Sequence, residues 1–275
     1  MTQKIKIITL ADLIFILLLG ISGSASGAVA SEVLYYLAFI IPISIGMIYI
    51  AKGSSQEGEK SSDTTKRVLG DFTITKDELL LSLPVTVIGI GITLLISMAT
   101  SSVMELFGKE NAVSFDEPFV IAVLIHALVP AVLEELLFRF IPVNLLRHKA
   151  KSAILLSSVF FAFAHANLFQ IPYAFAAGLI FALFYTVTES IIPCILMHFL
   201  NNTFSLASIY GYTTLPVWIS FAALEALSIC AVIILRNRYA RGLKKIDWSE
   251  KVEFGYPPII FIILSLILAV SSLFA

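Results

Sequence analysis

Long apolar stretches, separated by shorter polar segments, run along the whole chain. Several reach about 18–25 residues, which is enough for an α-helix to cross a hydrocarbon core of about 30 Å. The polar segments mark where helices end, and the pattern predicts an all-α fold, a polytopic membrane helix bundle. Nine helices are expected, near residues 7–23, 33–51, 79–105, 119–146, 153–170, 172–188, 191–209, 215–235 and 257–275.

Two longer polar segments interrupt this pattern. Residues 52–78 are rich in Ser, Gly, Lys and Glu and are predicted to form a solvated cytoplasmic loop. Residues 236–255 form a basic connector, and Trp248 and Tyr256 are candidate anchors at the membrane interface. The chain is therefore predicted to have N-terminal membrane helices, a central region and C-terminal membrane helices, at residues 1–117, 118–210 and 211–275.

Composition supports a membrane protein and excludes several other classes. Hydrophobic residues make up 59% of the chain and charged residues 13%, whereas soluble domains carry about 25% charged residues. The formal net charge of −1 gives no reason to expect nucleic acid as a partner. Cys194 and Cys230 lie in apolar segments without metal-ligand spacing and are predicted to be small core residues.

The basic residues predict the orientation. With nine helices, all but two of the 18 lysine and arginine residues fall in the N-terminal segment or in loops on the same side. The exceptions are Lys109, on the opposite side, and Arg139, inside a predicted helix. Because cytoplasmic loops of membrane proteins carry an excess of Lys and Arg, the N-terminus is predicted to be cytoplasmic. The expected location is the plasma membrane, with the lipid bilayer as a partner.

The first apolar stretch also has features of a cleaved signal peptide. Lys4 and Lys6 precede it, and the small residues Gly27 to Ala30 follow it. Asp12 inside the stretch argues against a signal peptide and favours a retained helix. Cleavage would leave eight helices in the same orientation.

Ionisable and amide side chains at membrane depth mark a candidate site, because burying such groups in a bilayer costs several kcal/mol. At about 1.5 Å per residue, Glu134, His165 and Asn202 lie about 20, 21 and 18 Å from the cytoplasmic boundary, and His198 about 12 Å. Three helices thus bring polar groups to a similar level. The full set is Glu134, Glu135, Arg139, His165, His198, Asn201, Asn202 and Glu225.

Spacing within the fourth helix separates two glutamates. Glu135 and Arg139 are four residues apart and can pair, while Glu134 is rotated by about 100° toward a different neighbour. Pro130 cannot donate a hydrogen bond to the carbonyl of His126, which predicts a loosened helix one turn before Glu134.

The same residue types suggest a hydrolytic reaction. Glu134 beside His165 could polarise a water for attack on a peptide carbonyl. His198 and Asn202, one turn apart on one helix face, could donate hydrogen bonds to the resulting oxyanion. No G-x-S-x-G or H-E-x-x-H motif is present in the sequence.

Three short motifs resemble those of the type II CAAX prenyl endopeptidases and their bacterial relatives, the CPBP or Abi family. Glu134 to Arg139 resembles the family's EExxxR motif, Phe161 to His165 its FxxxH motif, and His198 to Asn202 its HxxxN motif. They occur in family order, each on its own predicted helix, and the resemblance covers about residues 118–210.

The resemblance implies a metal-free intramembrane protease in which Glu134 and His165 activate water and His198 and Asn202 stabilise the oxyanion. Glu135 and Arg139 would then have supporting roles. It implies a membrane bundle of eight helices with a conical active-site cavity facing the cytosol, no cofactor, and prenylated or otherwise membrane-anchored peptides as substrates.

Several alternatives remain open on sequence grounds. Glu135 and Arg139 can be a charge pair that only stabilises the bundle, and each histidine alone can be an ordinary interior residue. Two histidines and a glutamate could ligate zinc, with the second carboxylate as base. The chain could also be a non-catalytic bacteriocin-immunity or scaffold protein of the same family, or an ion-coupled transporter, although it shows no internal repeat. Glu225 has no partner that the sequence identifies.

Overall fold

The computed structural model describes residues 2–24, 28–56, 60–110, 113–252 and 256–271, and within these ranges it contains helices and loops but no strand. The all-α prediction is therefore confirmed. The helices are α1 (Thr2–Ser24), α2 (Ala28–Gln56), α3 (Ser61–Gly70), α4 (Lys76–Leu106), α5 (Phe119–Leu145), α6 (Ala150–Ala164), α7 (Ile171–Thr188), α8 (Ile191–Ile209), α9 (Leu215–Leu243) and α10 (Tyr256–Ser271).

The lengths of these helices suit a polytopic membrane protein. Among the described residues, seven helices are long and apolar enough to span a bilayer, and two further apolar helices, α6 and α10, are shorter. Each of the nine predicted apolar stretches therefore corresponds to a helix. Gly27, within the small-residue sequence after the first helix, lies outside the described residues, as do residues 272–275 of the last predicted helix.

The prediction of a loop over residues 52–78 is wrong at several positions. α2 continues to Gln56, α3 occupies Ser61–Gly70, and α4 begins at Lys76, while residues 57–59 lie outside the described ranges. A capping box starts α4, because Glu78 donates its N–H to the Thr75 hydroxyl and accepts the Thr75 N–H at 2.7 Å.

The basic connector is also shorter than predicted, since α9 extends to Leu243. The part that is not helical contacts the beginning of α6. The carboxylate of Glu250 accepts the backbone N–H groups of Lys151 at 3.2 Å and Ser152 at 3.3 Å. An acceptor at this place satisfies N–H groups that a helix leaves free in its first turn. Residues 253–255 lie outside the described ranges.

Segments predicted to share the cytoplasmic side meet at one end of the bundle. Asp71, between α3 and α4, accepts hydrogen bonds from the Asn144 amide at 3.0 Å and the Tyr185 hydroxyl at 2.8 Å. Arg67 of α3 donates to the side-chain oxygen of Asn144. This network, Arg67–Asn144–Asp71–Tyr185, joins the α3 region to the end of α5 and to α7.

A cavity of about 280 Å³ opens beside this network, lined by residues that include Arg147, Ala153 and Glu189. None of the candidate catalytic residues lines it. The cytosol-facing active-site cavity therefore stays a prediction.

Two contacts place the helices that carry the candidate site. On one side of α5, Phe138 packs against Phe15 of α1, with ring centroids 5.5 Å apart. On the other side, α6 and α7 cross closely, because a Cβ at Gly178 would lie 3.0 Å from the Ser158 Cα. The glycine lets α6 and α7 approach until side chains on both can contact α5 and α8.

Asp71 gives a test of the Arg67–Asn144–Asp71–Tyr185 network. Burial raises the pKa of the Asp71 carboxyl, and this outweighs the opposing hydrogen bonds from Asn144 and Tyr185. Because the folded state then holds a proton more tightly than the unfolded state, the free energy of unfolding should fall as pH rises from the ordinary pKa of about 3.9 toward the raised value. We expect Asp71→Asn to remove this slope.

Thermal unfolding in detergent across this pH range would measure the effect. Asp71→Ala is the contrasting variant, since it leaves the Asn144 and Tyr185 donors without their acceptor and should cost about 1–3 kcal/mol. An unchanged pH slope in Asp71→Asn would contradict the assignment.

Candidate active site

Helix α5 carries both glutamates and departs from regular α geometry twice. Residues Val123–Leu128 and Leu136–Phe140 are π-helical. Each π segment precedes a proline, Pro130 or Pro142, whose missing N–H leaves a carbonyl of the preceding turn without its α-helical donor. The loosening predicted at Pro130 is confirmed, and Pro142 has the same effect one segment later.

The second π segment is supported by a neighbouring helix. Pro142 cannot bond to the carbonyl of Phe138, and the buried hydroxyl of Ser157 on α6 donates to that carbonyl instead. This contact fixes α5 against α6 next to Arg139. Ser157 was not predicted from the sequence. A serine in an apolar helix that follows a proline-containing helix is a signal that could have indicated it.

Glu135 and Arg139 form the predicted pair in the interior of the bundle. Both side chains are 0% exposed, and Arg139 Nε lies 3.4 Å from Glu135 Oε2. The alignment is that of an ion pair and not of a hydrogen bond, and the guanidinium makes no hydrogen bond to any described residue. It lies over the ring of Phe161, 3.8 Å from the centroid, and 5.5 Å from the centroid of Phe181. Aromatic faces thus complement the buried cation.

His198 lies between the two glutamates. Its Nδ1 is 2.8 Å from Glu135 Oε1, and its Nε2 is 3.6 Å from Glu134 Oε2. A carboxylate paired with Arg139 accepts hydrogen bonds, so Nδ1 carries the proton in this contact. Sequence analysis paired Glu135 with Arg139 alone, and the structure adds His198. When His198 is also protonated at Nε2, two carboxylates, a guanidinium and an imidazolium balance in charge.

The prediction that His165 lies inside a helix is wrong. α6 ends at Ala164, and Ala166 has a left-handed backbone with φ of 46°. The Asn167 side chain accepts the Phe169 N–H at 2.8 Å, which forms a turn in place of the predicted helical residues. The predicted helix through residue 170 is therefore wrong at its end.

The orientation of the His165 ring is nevertheless defined. Its Nδ1 donates to the carbonyl of Phe161 at 2.8 Å, because a carbonyl can only accept. In the neutral ring, Nε2 is then free to accept a hydrogen bond. The Phe161 ring contacts both imidazoles, with centroids 4.9 Å from His165 and 5.5 Å from His198, so His165 belongs to the same cluster.

Glu134 is the accessible carboxylate of this cluster, with 17% of its side chain exposed, whereas Glu135 has none. The structure thus brings together Glu134, Glu135, Arg139, His165 and His198. We call these five side chains the Glu–His cluster.

The two asparagines of α8 differ in their contacts. Asn202 lies one turn after His198 and is half-buried. Asn201 accepts the hydroxyl of Thr93 on α4 at 3.0 Å. Asn201 therefore joins two helices, as interhelical polar residues commonly do. The sequence did not identify Thr93 as its partner.

Glu225 lies elsewhere, against α4. A Cβ at Gly91 would come within 2.0 Å of Glu225 Oε1, so the carboxyl occupies the space that the glycine leaves. Glu225 is half-buried on a helix that is mostly exposed. The Gly91 contact is the partner that sequence analysis did not find.

The described residues contain no group of three or more His, Cys, Asp or Glu side chains arranged to hold a metal ion. Cys194 is buried and its thiol donates to the Phe181 carbonyl at 3.4 Å, as expected of a core residue. Cys230 is exposed on α9, so its prediction as a core residue is wrong.

Comparison with protein families gives a match in the segment that carries this site. Residues 116–204 match the family model described as type II CAAX prenyl endopeptidase Rce1-like. The match contains all three motifs and confirms the resemblance to the type II CAAX prenyl endopeptidases. It relates this part of the chain to a family of proteases, and α1 to α4, α9 and α10 lie outside it. Neither the curated proteins nor the solved structures gave a match.

The buried ion pair of the cluster can be tested by stability. We expect Arg139→Met to destabilise the protein by about 3–5 kcal/mol, because Glu135 would be left buried without its cation. Glu135→Leu combined with Arg139→Met should recover part of this loss, since an apolar pair needs no charge compensation but leaves His198 Nδ1 without its acceptor.

Thermal unfolding in detergent is the measurement, and Arg238→Gln is a matched control. Arg238 pairs with Asp77 at 3.1 Å, but both side chains are exposed, so its loss should cost less than about 1 kcal/mol. Equal effects of Arg139→Met and Arg238→Gln would be inconsistent with the buried pair.

Proposed function

We propose that this protein is an intramembrane endopeptidase that hydrolyses peptide bonds of membrane-anchored substrates, prenylated CAAX-type proteins among them. The observation that carries the proposal is the position of His198 between Glu134 and Glu135, at 3.6 and 2.8 Å. These residues lie in the segment that matches a prenyl endopeptidase family. A hydrolase needs a base for water and donors for an oxyanion, and this cluster offers both.

Glu134 and His165 activate the water in this proposal. Both present acceptors, since Glu134 has a partly exposed carboxylate and His165 has Nε2 free when Nδ1 donates to Phe161. A water that donates one hydrogen to each directs a lone pair outward, toward the carbonyl carbon of a bound peptide. Glu134 takes the proton as the carbon–oxygen bond forms.

His198 and Asn202 stabilise the oxyanion of the tetrahedral intermediate. Glu135 holds Nδ1 of His198, so Nε2 is the nitrogen that faces the reaction. Donors fixed before the reaction cost no reorganisation when the negative charge develops. Glu134 then returns its proton to the leaving nitrogen, the carbon–nitrogen bond breaks, and the products are a carboxylic acid and an amine.

The proposed substrate and orientation follow from the membrane setting. A peptide with an apolar anchor, such as a prenyl group, partitions into the bilayer and reaches buried residues laterally. The distribution of basic residues supports a cytosolic N-terminus and cytosolic ends of α5 and α7, and the proposed location is the plasma membrane. A cytosol-facing active-site cavity is part of this proposal.

No metal is assigned a step in the proposal. The residues of the Glu–His cluster are committed to one another, and Glu135 and Arg139 compensate each other in charge. His198 uses Nδ1 for Glu135 and His165 uses Nδ1 for Phe161. Each imidazole could still coordinate through Nε2, so the zinc-dependent alternative is decided by experiment.

The Glu134→Gln variant tests the proposed base. We expect kcat for a farnesylated CAAX peptide to fall by about 10²–10⁴-fold, because glutamine cannot accept the proton of the attacking water. Cleavage in detergent or proteoliposomes, followed by mass spectrometry of the products, is the measurement.

Glu225→Gln is a matched control, since it makes the same substitution at another membrane-embedded glutamate outside the cluster. It should retain activity. Full cleavage by folded Glu134→Gln would exclude Glu134 as the base, and no cleavage by the wild-type protein would favour the non-catalytic immunity or scaffold alternative.

The role of metal is tested separately. We expect purified protein to contain less than stoichiometric zinc and to keep its activity after chelation, because the proposed base and donors are all side chains. Metal analysis and cleavage assays before and after chelation are the measurements. Activity that chelation abolishes and added zinc restores would establish the zinc-dependent alternative.

A further inference from the structure

Phe181 of α7 is outside all three motifs but contacts the centre of the Glu–His cluster. Its ring stacks on the His198 imidazole, with centroids 5.3 Å apart and planes inclined by 30°. The residue is 3% exposed, and its ring also lies 5.5 Å from the Arg139 guanidinium carbon. The Phe181 ring therefore contacts both His198 and Arg139, the two basic side chains that pair with the glutamates.

Phe161 of α6 meets the same groups from another direction. Its ring plane is perpendicular to that of His198, at 88°, with centroids 5.5 Å apart. It is also perpendicular to the His165 ring, with centroids 4.9 Å apart. The negative face of an aromatic ring attracts a cation, and the Phe161 ring has the Arg139 guanidinium over it, 3.8 Å from the centroid. Of the two rings, Phe181 is the one that stacks on His198.

Hydrogen bonding alone does not fix the plane of the His198 ring. The bond from Nδ1 to Glu135 restrains one atom of the ring and leaves the ring room to tilt about its Cβ–Cγ bond. The stack against Phe181 removes this freedom and directs Nε2 to the side of Glu134. The Cys194 thiol, one turn before His198 on α8, donates to the carbonyl of Phe181 and holds α8 in register with α7.

We propose that Phe181 is a positioning residue, whose ring face holds the His198 imidazolium in the plane that lets Nε2 donate to the oxyanion. The inference rests on the proposed protease function and extends it to a residue outside the motifs. Glu134 and Glu135 of α5 contact His198 directly, Arg139 pairs with Glu135, and His165 after α6 contacts the Phe161 ring that also contacts His198. Phe181 is an apolar neighbour of His198 and packs on its ring.

A purely structural role for Phe181 would depend on the shape of its ring and not on its electrons. Stepwise fluorination separates the two, because it weakens the negative face while it changes the volume little. We expect one, two and three fluorine atoms on the residue-181 ring to lower kcat progressively, by about fivefold to tenfold in total, with KM unchanged. Phe181 touches His198 and not the substrate, so kcat is the affected constant.

The same series at Phe160 is the control. Phe160 is also fully buried and packs against Phe261 of α10, with centroids 5.0 Å apart. Fluorination there should leave kcat and KM unchanged. A flat response at Phe181 in an active enzyme, or a change in KM alone, would overturn the positioning role.

A second readout separates this inference from the proposed function. The ¹⁵N signals of the His198 ring, assigned by their loss in His198→Asn, report its protonation and hydrogen bonding without any substrate. They should shift along the fluorination series at Phe181 and stay fixed along the series at Phe160. If the wild-type protein cleaves nothing, the protease proposal fails, but the NMR test still shows whether the Phe181 ring acts on His198. Signals of His198 that do not move along the Phe181 series overturn the positioning role.

Discussion

The structure depends on how Glu135 is neutralised inside a membrane bundle. A carboxylate with no exposed surface is tolerated only when cations and donors contact it. Arg139 supplies the charge from one turn along α5, and His198 supplies a hydrogen bond from α8. Because α8 must present His198 at this point, the packing of α5 against α8 is fixed by the same contact that orients the His198 ring.

The surrounding helices complete this arrangement. α6 supplies Ser157, which replaces the donor lost at Pro142, and Phe161, which stacks on Arg139. α7 supplies Phe181, and Gly178 allows α6 and α7 to approach closely enough for both rings to contact the cluster. Small residues, prolines and hydroxyls, which carry little hydrophobic signal, thus decide where the charged groups lie.

The sequence predicts much of this because hydrophobic length and motif spacing are local properties. Nine apolar helices, the Glu135–Arg139 pair and the effect of Pro130 follow from single stretches of chain. The contacts between helices do not, since a spacing rule cannot show that His198 reaches Glu135 or that Thr93 reaches Asn201. His165 was misplaced because the turn at Asn167 ends α6 earlier than hydropathy indicates. α3 was missed because its polar composition resembles that of a loop.

The helices outside the family match are part of the site's support. Phe15 of α1 packs on Phe138, next to Arg139, and Thr93 of α4 holds Asn201, next to Asn202. Asp71, between α3 and α4, binds Asn144 and Tyr185 at the ends of α5 and α7. A segment limited to residues 118–210 would lose these partners, among them the hydroxyl that donates to the Asn201 side chain. The central region therefore carries the candidate site but depends on the neighbouring helices for packing and hydrogen-bond partners.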